Sequence, residues 1–253
     1  MPDHDEAIGR PGRRNDRYNG SRRGLAIGAT VFLGAAVVGL ALGSGSTLPM
    51  PVASSGTLSG PLLTTLSAAG VQTVSIDAIA GKVAVTASGG TVVSDAGSSG
   101  PLFYQFDAGT HTLQLFCPGP RNCAAADYTV AIPEHVGLVL HQVSGQTTLT
   151  GLSGPVDITA TSVSVNAVGL DTASFTASIT SGQLSAAFTT APRRTVLDVV
   201  SASASLSLPG SASYTVVQHV TSGDVNISVP QGPNAAGTVD ATVVSGEISL
   251  ADG

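Results

Sequence analysis

In the stretch TVSIDAIAGKVAVTAS, residues 73–88, apolar and polar side chains alternate on both sides of Ala80 and Gly81. A period of two sends successive side chains to opposite faces, so the stretch predicts two half-buried strands meeting at a corner. Similar alternation recurs along the rest of the chain. No window beyond residue 43 sustains the 3.6-residue period of an amphipathic helix. Residues 62–253 are therefore expected to form an all-β domain.

The alternation is punctuated by a repeated unit, Ser-Gly followed by polar and apolar residues in turn. Copies begin at Ser144 (SGQTTL), Ser181 (SGQLSA), Ser222 (SGDVNI) and Ser245 (SGEISL), and degenerate ones at Ala160 (ATSVSV) and Ser203 (SASLSL). Successive starts lie 16, 21, 22, 19 and 23 residues apart. Further strand-like segments, SGPVDI at 153–158 and FTASI at 175–179, fall between them and suggest two strands per period. A unit of about 20 residues cannot bury its own apolar face, whereas stacked copies can. The prediction is a β-solenoid, or β-helix, of such coils, preceded by one N-terminal transmembrane helix. Val225 and Ile227 then face inward against Ile248 and Leu250, and Asp224 and Asn226 face solvent. Glycine permits corner angles closed to other residues, and serine bonds the turn locally. A β-sandwich also uses short strands but gives no reason for the period.

The helix is expected at residues 24–43, GLAIGATVFLGAAVVGLALG, twenty residues without a charge. At about 1.5 Å per residue this length spans roughly 30 Å, the hydrocarbon thickness of a bilayer. A buried core helix would carry polar positions over such a length. Six arginines and four acids precede it, whereas the chain beyond carries Lys82, Arg121, Arg193 and Arg194 against twelve acids. The positive-inside rule then places residues 1–23 in the cytoplasm and the β domain outside the plasma membrane. Residues 44–61, rich in Gly, Ser and Pro, read as a stalk. The apolar stretch exceeds the usual length of a cleaved signal, which favours a retained signal anchor. SRRGLAI at 21–27 is similar to a twin-arginine export signal and keeps secretion after cleavage as the alternative.

Composition narrows the function. Charged residues make up 10% of the chain and aromatics 4%, with no tryptophan. The acidic excess beyond residue 43 disfavours nucleic acid as a partner, because phosphate affinity needs clustered Lys and Arg. Cys117 and Cys123 bracket PGPRN, a tight turn, in a compartment where a disulfide can persist. Metal ligation by two thiolates would need further ligands.

Residues 71–250 resemble the bacterial putative-adhesin family of β-strand repeats, whose function is largely unassigned. The resemblance rests on VSIDAIAGKVAVTA, on LQLFCPGPRNCAAADYTVAIPEHVGLVL with its cysteine pair, and on TSGDVNISVP and VVSGEISL. The pattern departs at 161–163, where Ser-Gly is lost, and at Ser203 and Ala204, where alanine replaces the corner glycine. The resemblance implies no reaction.

A glycan-active β-helix enzyme would display clustered carboxylates on one face. Asp157, Asp171, Asp198, Asp224, Asp240 and Glu247 are the candidates, and Asp224 and Glu247 share a repeat position. Equivalent positions hold Gln146, Gln183 and Lys82, so the position selects polarity rather than a carboxylate. No Gly-x-Ser-x-Gly elbow, phosphate loop or calcium loop occurs. His111, His135, His141 and His219 lack metal-ligand spacing, and His4 lies in the tail. The pairs Thr110/Thr112, Thr148/Thr150 and Thr159/Thr161 do not recur at the repeat period, as an ice-binding ladder requires. No cofactor or metal is expected. The expected function is a non-catalytic, membrane-anchored surface protein for adhesion, envelope interaction or sensing, with an extracellular protein or cell-wall ligand; the enzyme is the alternative. The last strand lies near the end of the sequence, so Gly246, Glu247, Ile248, Ser249 and Leu250 are the candidate edge for strand addition or self-association.

Overall fold

The structure, a computed structural model, describes residues 57–61, 65–99, 102–117 and 127–253. The expected tail and transmembrane helix lie outside the described residues, as does Cys123. Among the described residues no helix is long and apolar enough to cross a membrane.

All regular elements of the described residues are strands. They begin with β1 (Thr57–Pro61), β2 (Thr65–Ser67), β3 (Thr73–Ala78), β4 (Lys82–Ser88), β5 (Val92–Asp95), β6 (Phe103–Asp107), β7 (Thr112–Phe116) and β8 (Tyr128–Pro133). Four long strands follow, β9 (Gly137–Thr150), β10 (Val156–Leu170), β11 (Ser174–Phe188) and β12 (Arg194–Leu208). The last are β13 (Tyr214–Val220), β14 (Asp224–Ile227), β15 (Gly237–Val243) and β16 (Glu247–Asp252). β1 falls within the stretch read as stalk and pairs antiparallel with β6 from Thr57↔Asp107 to Pro61↔Phe103, so residues 57–61 are part of the sheet.

Each long strand is one coil with a corner in its middle. In β10, Val156, Ile158 and Ala160 are buried, Thr161 and Ser162 are both exposed, and Val163, Val165 and Ala167 are buried again. Two successive exposed residues shift the alternation by one, so both arms turn apolar side chains toward one interior. Phe175 and Phe188, from opposite ends of β11, meet edge to face with centroids 5.4 Å apart, which shows that the arms fold toward each other. Neighbouring coils run parallel and in register, with Ile158↔Ala177 in one arm and Val165↔Leu184 in the other. At a strand spacing of about 4.8 Å, each coil's apolar row is covered by the coils on either side.

The expected two strands per period are therefore present, but the degenerate copies sit two residues away from the positions read for them. Ser162 pairs with Ser144 and with Ser181, and Ser181 pairs with Ser201. The altered corners are thus at Ser162 and Val163 and at Ser201 and Ala202, not at Ala160 and Ser203. A shift of two preserves the alternation, so periodicity alone cannot separate the two registers.

The stack extends beyond the long coils in both directions. β3 and β4 form a coil beside β9, with Val74↔Leu138 and Val85↔Leu149, and β7 and β8 form the next. Antiparallel strands finish that end, β6 and β1 on one arm and β5 and β2 on the other. At the opposite end, spatial order departs from chain order. β12 pairs with β15 and β16, which in turn pair with β13 and β14. The last coil in sequence is inserted, and the β13–β14 coil is outermost.

Close backbone approach at the corner explains the Ser-Gly unit. Gly145 and Gly182 have φ of 120° and 123°, a region closed to most residues with a Cβ. An added Cβ would lie 1.9 Å from the Gly81 carbonyl oxygen at Gly145 and 2.1 Å from the Val163 carbonyl oxygen at Gly182. The serines tie adjacent coils together: Ser144 N–H donates to the Ile79 carbonyl at 3.0 Å and Ser181 Oγ to the Thr161 carbonyl at 2.9 Å. Buried Gln142 occupies one inward corner position fully bonded, donating to the carbonyls of Gly81 and Ser144 at 3.0 and 3.1 Å and accepting from Thr147.

Gly145→Ala and Gly182→Ala are expected to cost on the order of 3 kcal/mol each in denaturant unfolding. Gly89→Ala, whose Cβ meets nothing within 4 Å, should cost less than about 0.5 kcal/mol. Equal losses at all three positions would contradict the tight corner.

Candidate functional site

The register separates most of the carboxylates considered for glycan chemistry. Asp224 pairs with Glu247 on adjoining coils, and their column continues through Ser203, Gln183, Ser164, Gln146 and Lys82. The shared repeat position thus does bring one acidic pair to neighbouring strands, about 4.8 Å apart in backbone spacing. Both residues are exposed, and Glu247 accepts a hydrogen bond from Asn226 Nδ2 at 2.9 Å. Asp157 and Asp240 share another column but are separated by Thr176 and Val196. Asp198 stands two residues along from that column, and Asp171 accepts a hydrogen bond from Thr190 in a turn. A glycosidase pair flanks a bound sugar from two sides; Asp224 and Glu247 instead stand side by side on one flank.

The histidines are dispersed. His141 Nδ1 lies 3.0 Å from Asp77 Oδ1, and the other Asp77 oxygen accepts from Gln114 Nε2 at 2.6 Å. With side chains 53% and 40% exposed, this pair contributes little to stability. His111 has a φ of 54° and places Nδ1 3.0 Å from the Gly70 carbonyl oxygen. His135 and His219 are exposed. Among the described residues no group of three His, Cys, Asp or Glu side chains could hold a metal ion.

Perturbed titrating groups follow from turns and burial. The Gly109 N–H, donating at 2.8 Å, holds the Asp107 carboxyl below its usual pKa. Burial raises the phenols of Tyr128 and Tyr214, both enclosed in the core. Tyr214 Oη donates to the Pro209 carbonyl at 3.2 Å, while Tyr128 Oη has no hydrogen-bond partner.

The β7–β8 coil differs from the long coils in the length of chain between its arms. Its arms are joined by residues 117–127 in place of a Ser-Gly corner, and this segment carries both cysteines. Cys117 packs partly buried against the core and is not a free thiol; Cys123 lies outside the described residues. A shallow groove of about 360 Å³ beside it is lined by residues including Asp77, Phe116, His141, Val143 and Thr161.

The expected interaction edge is paired on both sides. Glu247, Ile248, Ser249 and Leu250 pair with β12 from Ser203↔Glu247 to Leu206↔Leu250 and with β14 from Asp224↔Glu247 to Ile227↔Leu250. Ile248 and Leu250 are fully buried, and a Cβ on Gly246 would lie 2.2 Å from the Ala202 carbonyl oxygen. Insertion of the last coil is the reason: position in sequence does not give position in the stack.

The free side belongs instead to β13 and β14, each paired with one named strand. Their inward positions Val216, Val225 and Ile227 are only partly covered, Gln218 is exposed, and Val220 is 45% exposed. Val217, on the outer face, is 41% exposed. Part of the coil is closed by residues 228–232, where Val229 enters the core and Gln231 bridges Tyr214. The open portion is therefore residues 216–220 with Asp224 and Val225. The sequence signal for it is weak: YTVVQHV is less regularly alternating than its neighbours.

Matches to known proteins cover these same coils. The model of one family, Toastrack DUF4097, matches residues 137–251. Residues 137–251 are thus similar to the Toastrack family. The match begins at the first residue of β9 and ends within β16, so the matched segment contains the long coils, the outermost coil and the inserted one. The match agrees with the resemblance to adhesin-like β-repeat proteins of unassigned function. No curated protein matches the chain. Among solved structures, a Clostridium sporogenes protein described as a "putative cell adhesion protein" is similar over 79% of this chain and 100% of its own, at 10% identity and a TM-score of 0.42.

The full chain is expected to release no product from a panel of cell-wall glycans. Release that disappears in both Asp224→Ala and Glu247→Ala would assign that pair to catalysis.

Proposed function

We propose that the chain is a non-catalytic surface module. Residues 24–43 anchor it with residues 1–23 in the cytoplasm, and the Toastrack solenoid stands outside the plasma membrane to contact an extracellular protein or a cell-wall component. The observation that carries this reading is the outermost coil: an open β edge with exposed Val217 and Val220 on a stack whose inner coils are paired on both sides. An unpaired edge offers a backbone ladder for strand addition, and the partly covered apolar row beside it offers area to bury. The uncharged twenty-residue segment and the arginine excess before it support the anchor.

A disulfide between Cys117 and Cys123 belongs to the same reading. It would close the segment that joins β7 to β8, contributing about 2 kcal/mol, in a compartment where it persists. Intact mass of the mature protein should equal that of the whole chain less two hydrogens. A mass lacking the residues up to the end of the apolar stretch would replace anchoring by secretion.

The edge has its own test. Val217→Lys combined with Val220→Lys is expected to lower adhesion of cells displaying the full chain about tenfold at unchanged surface abundance. Lysines at Ser164 and Ser185, exposed on the solenoid flank, should leave adhesion unchanged. Loss with the flank pair and retention with the edge pair would move the contact to the flank.

A further inference from the structure

The order of the last coils creates a slot that the chain fills after both of its walls have been laid down in sequence. β12 forms one wall and the β13–β14 coil the other; β15 and β16 lie between and bond to both. Residues 209–213 cross from one wall to the other. Five residues reach up to about 17 Å, and two strand spacings are about 10 Å, so this connection spans the slot without strain.

The filling segment enters through one connection, residues 228–236, which carries Pro230 and Pro233. Within it Pro233, Asn234 and Ala236 are exposed. Beyond it Val239, Ala241, Val243, Ile248 and Leu250 are all 0% exposed, enclosed between the two walls and the opposite arm. What fits the slot is a coil with apolar residues at alternate positions and no side chain where Gly246 passes the Ala202 carbonyl. Every copy of this chain carries one such coil.

We propose that residues 237–252 are an exchangeable arm: in a pair of copies each arm enters the slot of the other, and the hydrogen bonds that close the single chain are remade between chains. A two-fold arrangement of this kind creates no new contact surface, so its partner is specified by the slot itself. The closed and exchanged forms differ in the path of residues 228–236 and in the entropy of association, so concentration sets their ratio. Residues 228–236, with two prolines and exposed positions between β14 and β15, are the one connection whose path must change for the arm to leave its own slot. A stack built in chain order would have no slot, and its last coil would be held on one side only.

Two full-length variants with different tags test the proposal, one carrying Ser205→Cys and the other Ser249→Cys. These residues are Cα partners across the slot wall, at a spacing that a disulfide can bridge. After mixing at high concentration through a partially denaturing step and oxidising, a covalent heterodimer should exceed either homodimer about tenfold. A single chain carrying both substitutions should close on itself when dilute and across chains when concentrated. The proposal is overturned if that double variant closes within one chain at every concentration and the mixed variants give no excess of heterodimer. It is overturned equally if the double variant closes in neither way, because the register then differs. Val217→Lys alone, on the outer face of β13, leaves the inward row of the slot intact and should not change the exchange, which separates this outcome from that of the outer edge.

Discussion

The parallel backbone ladder must pass through a corner in every coil, and the rest of the domain follows from that requirement. A two-residue lapse in alternation turns both arms inward, and the closeness of the next coil removes room for a Cβ at Gly145, Gly182 and Gly246. With the corners aligned, coils meet in register and each inward row is buried by its neighbours. Val163 and Ala202 stand at corners without glycine, and positive φ occurs at Gly81, Gly145 and Gly182 only among the corner residues, so the coils do not repeat one corner geometry throughout.

The same register decides what the surface can do. Outward columns accept Lys82, Gln146, Ser164, Gln183, Ser203, Glu247 and Asp224 in succession, because a solvent-facing position on a stacked strand constrains polarity and not charge. The acidic pair at Asp224 and Glu247 is one product of that tolerance. The ends of the stack behave differently, since only there does a strand lack a neighbour. One end is finished by antiparallel β1, β2, β5 and β6; the other presents β13 and β14 with their apolar row partly uncovered.

The all-β class, the coil length, two arms per coil and the inward set of the last coils were legible from alternation and repeat spacing. The placement of the degenerate copies was not, because a two-residue shift keeps the phase. A finer signal did exist: Val143, Thr161, Thr180, Val200, Thr221 and Val244 each precede a corner serine, so a β-branched residue followed by Ser marks the corner even where Gly is absent. Such residues suit extended backbone entering a corner. The free strand edge was misplaced for a different reason. Repeats of similar pattern are interchangeable in a stack, so nothing in residues 237–252 records that they enter between β12 and β13 instead of following β14. Coil order is a tertiary choice among near-equivalent pairings, and pattern matching cannot resolve it.

Hydrogen exchange on the intact chain tests that order most directly. An amide bonded between two inner coils opens only when the stack separates, whereas one on the outermost coil is released by local fraying. The account predicts that β15 and β16 exchange as slowly as β10 and β11, and that residues 216–220 in β13 exchange markedly faster. Slow exchange in β13 and β14 with fast exchange in β15 and β16 would mean that the coils stack in chain order, and would contradict it.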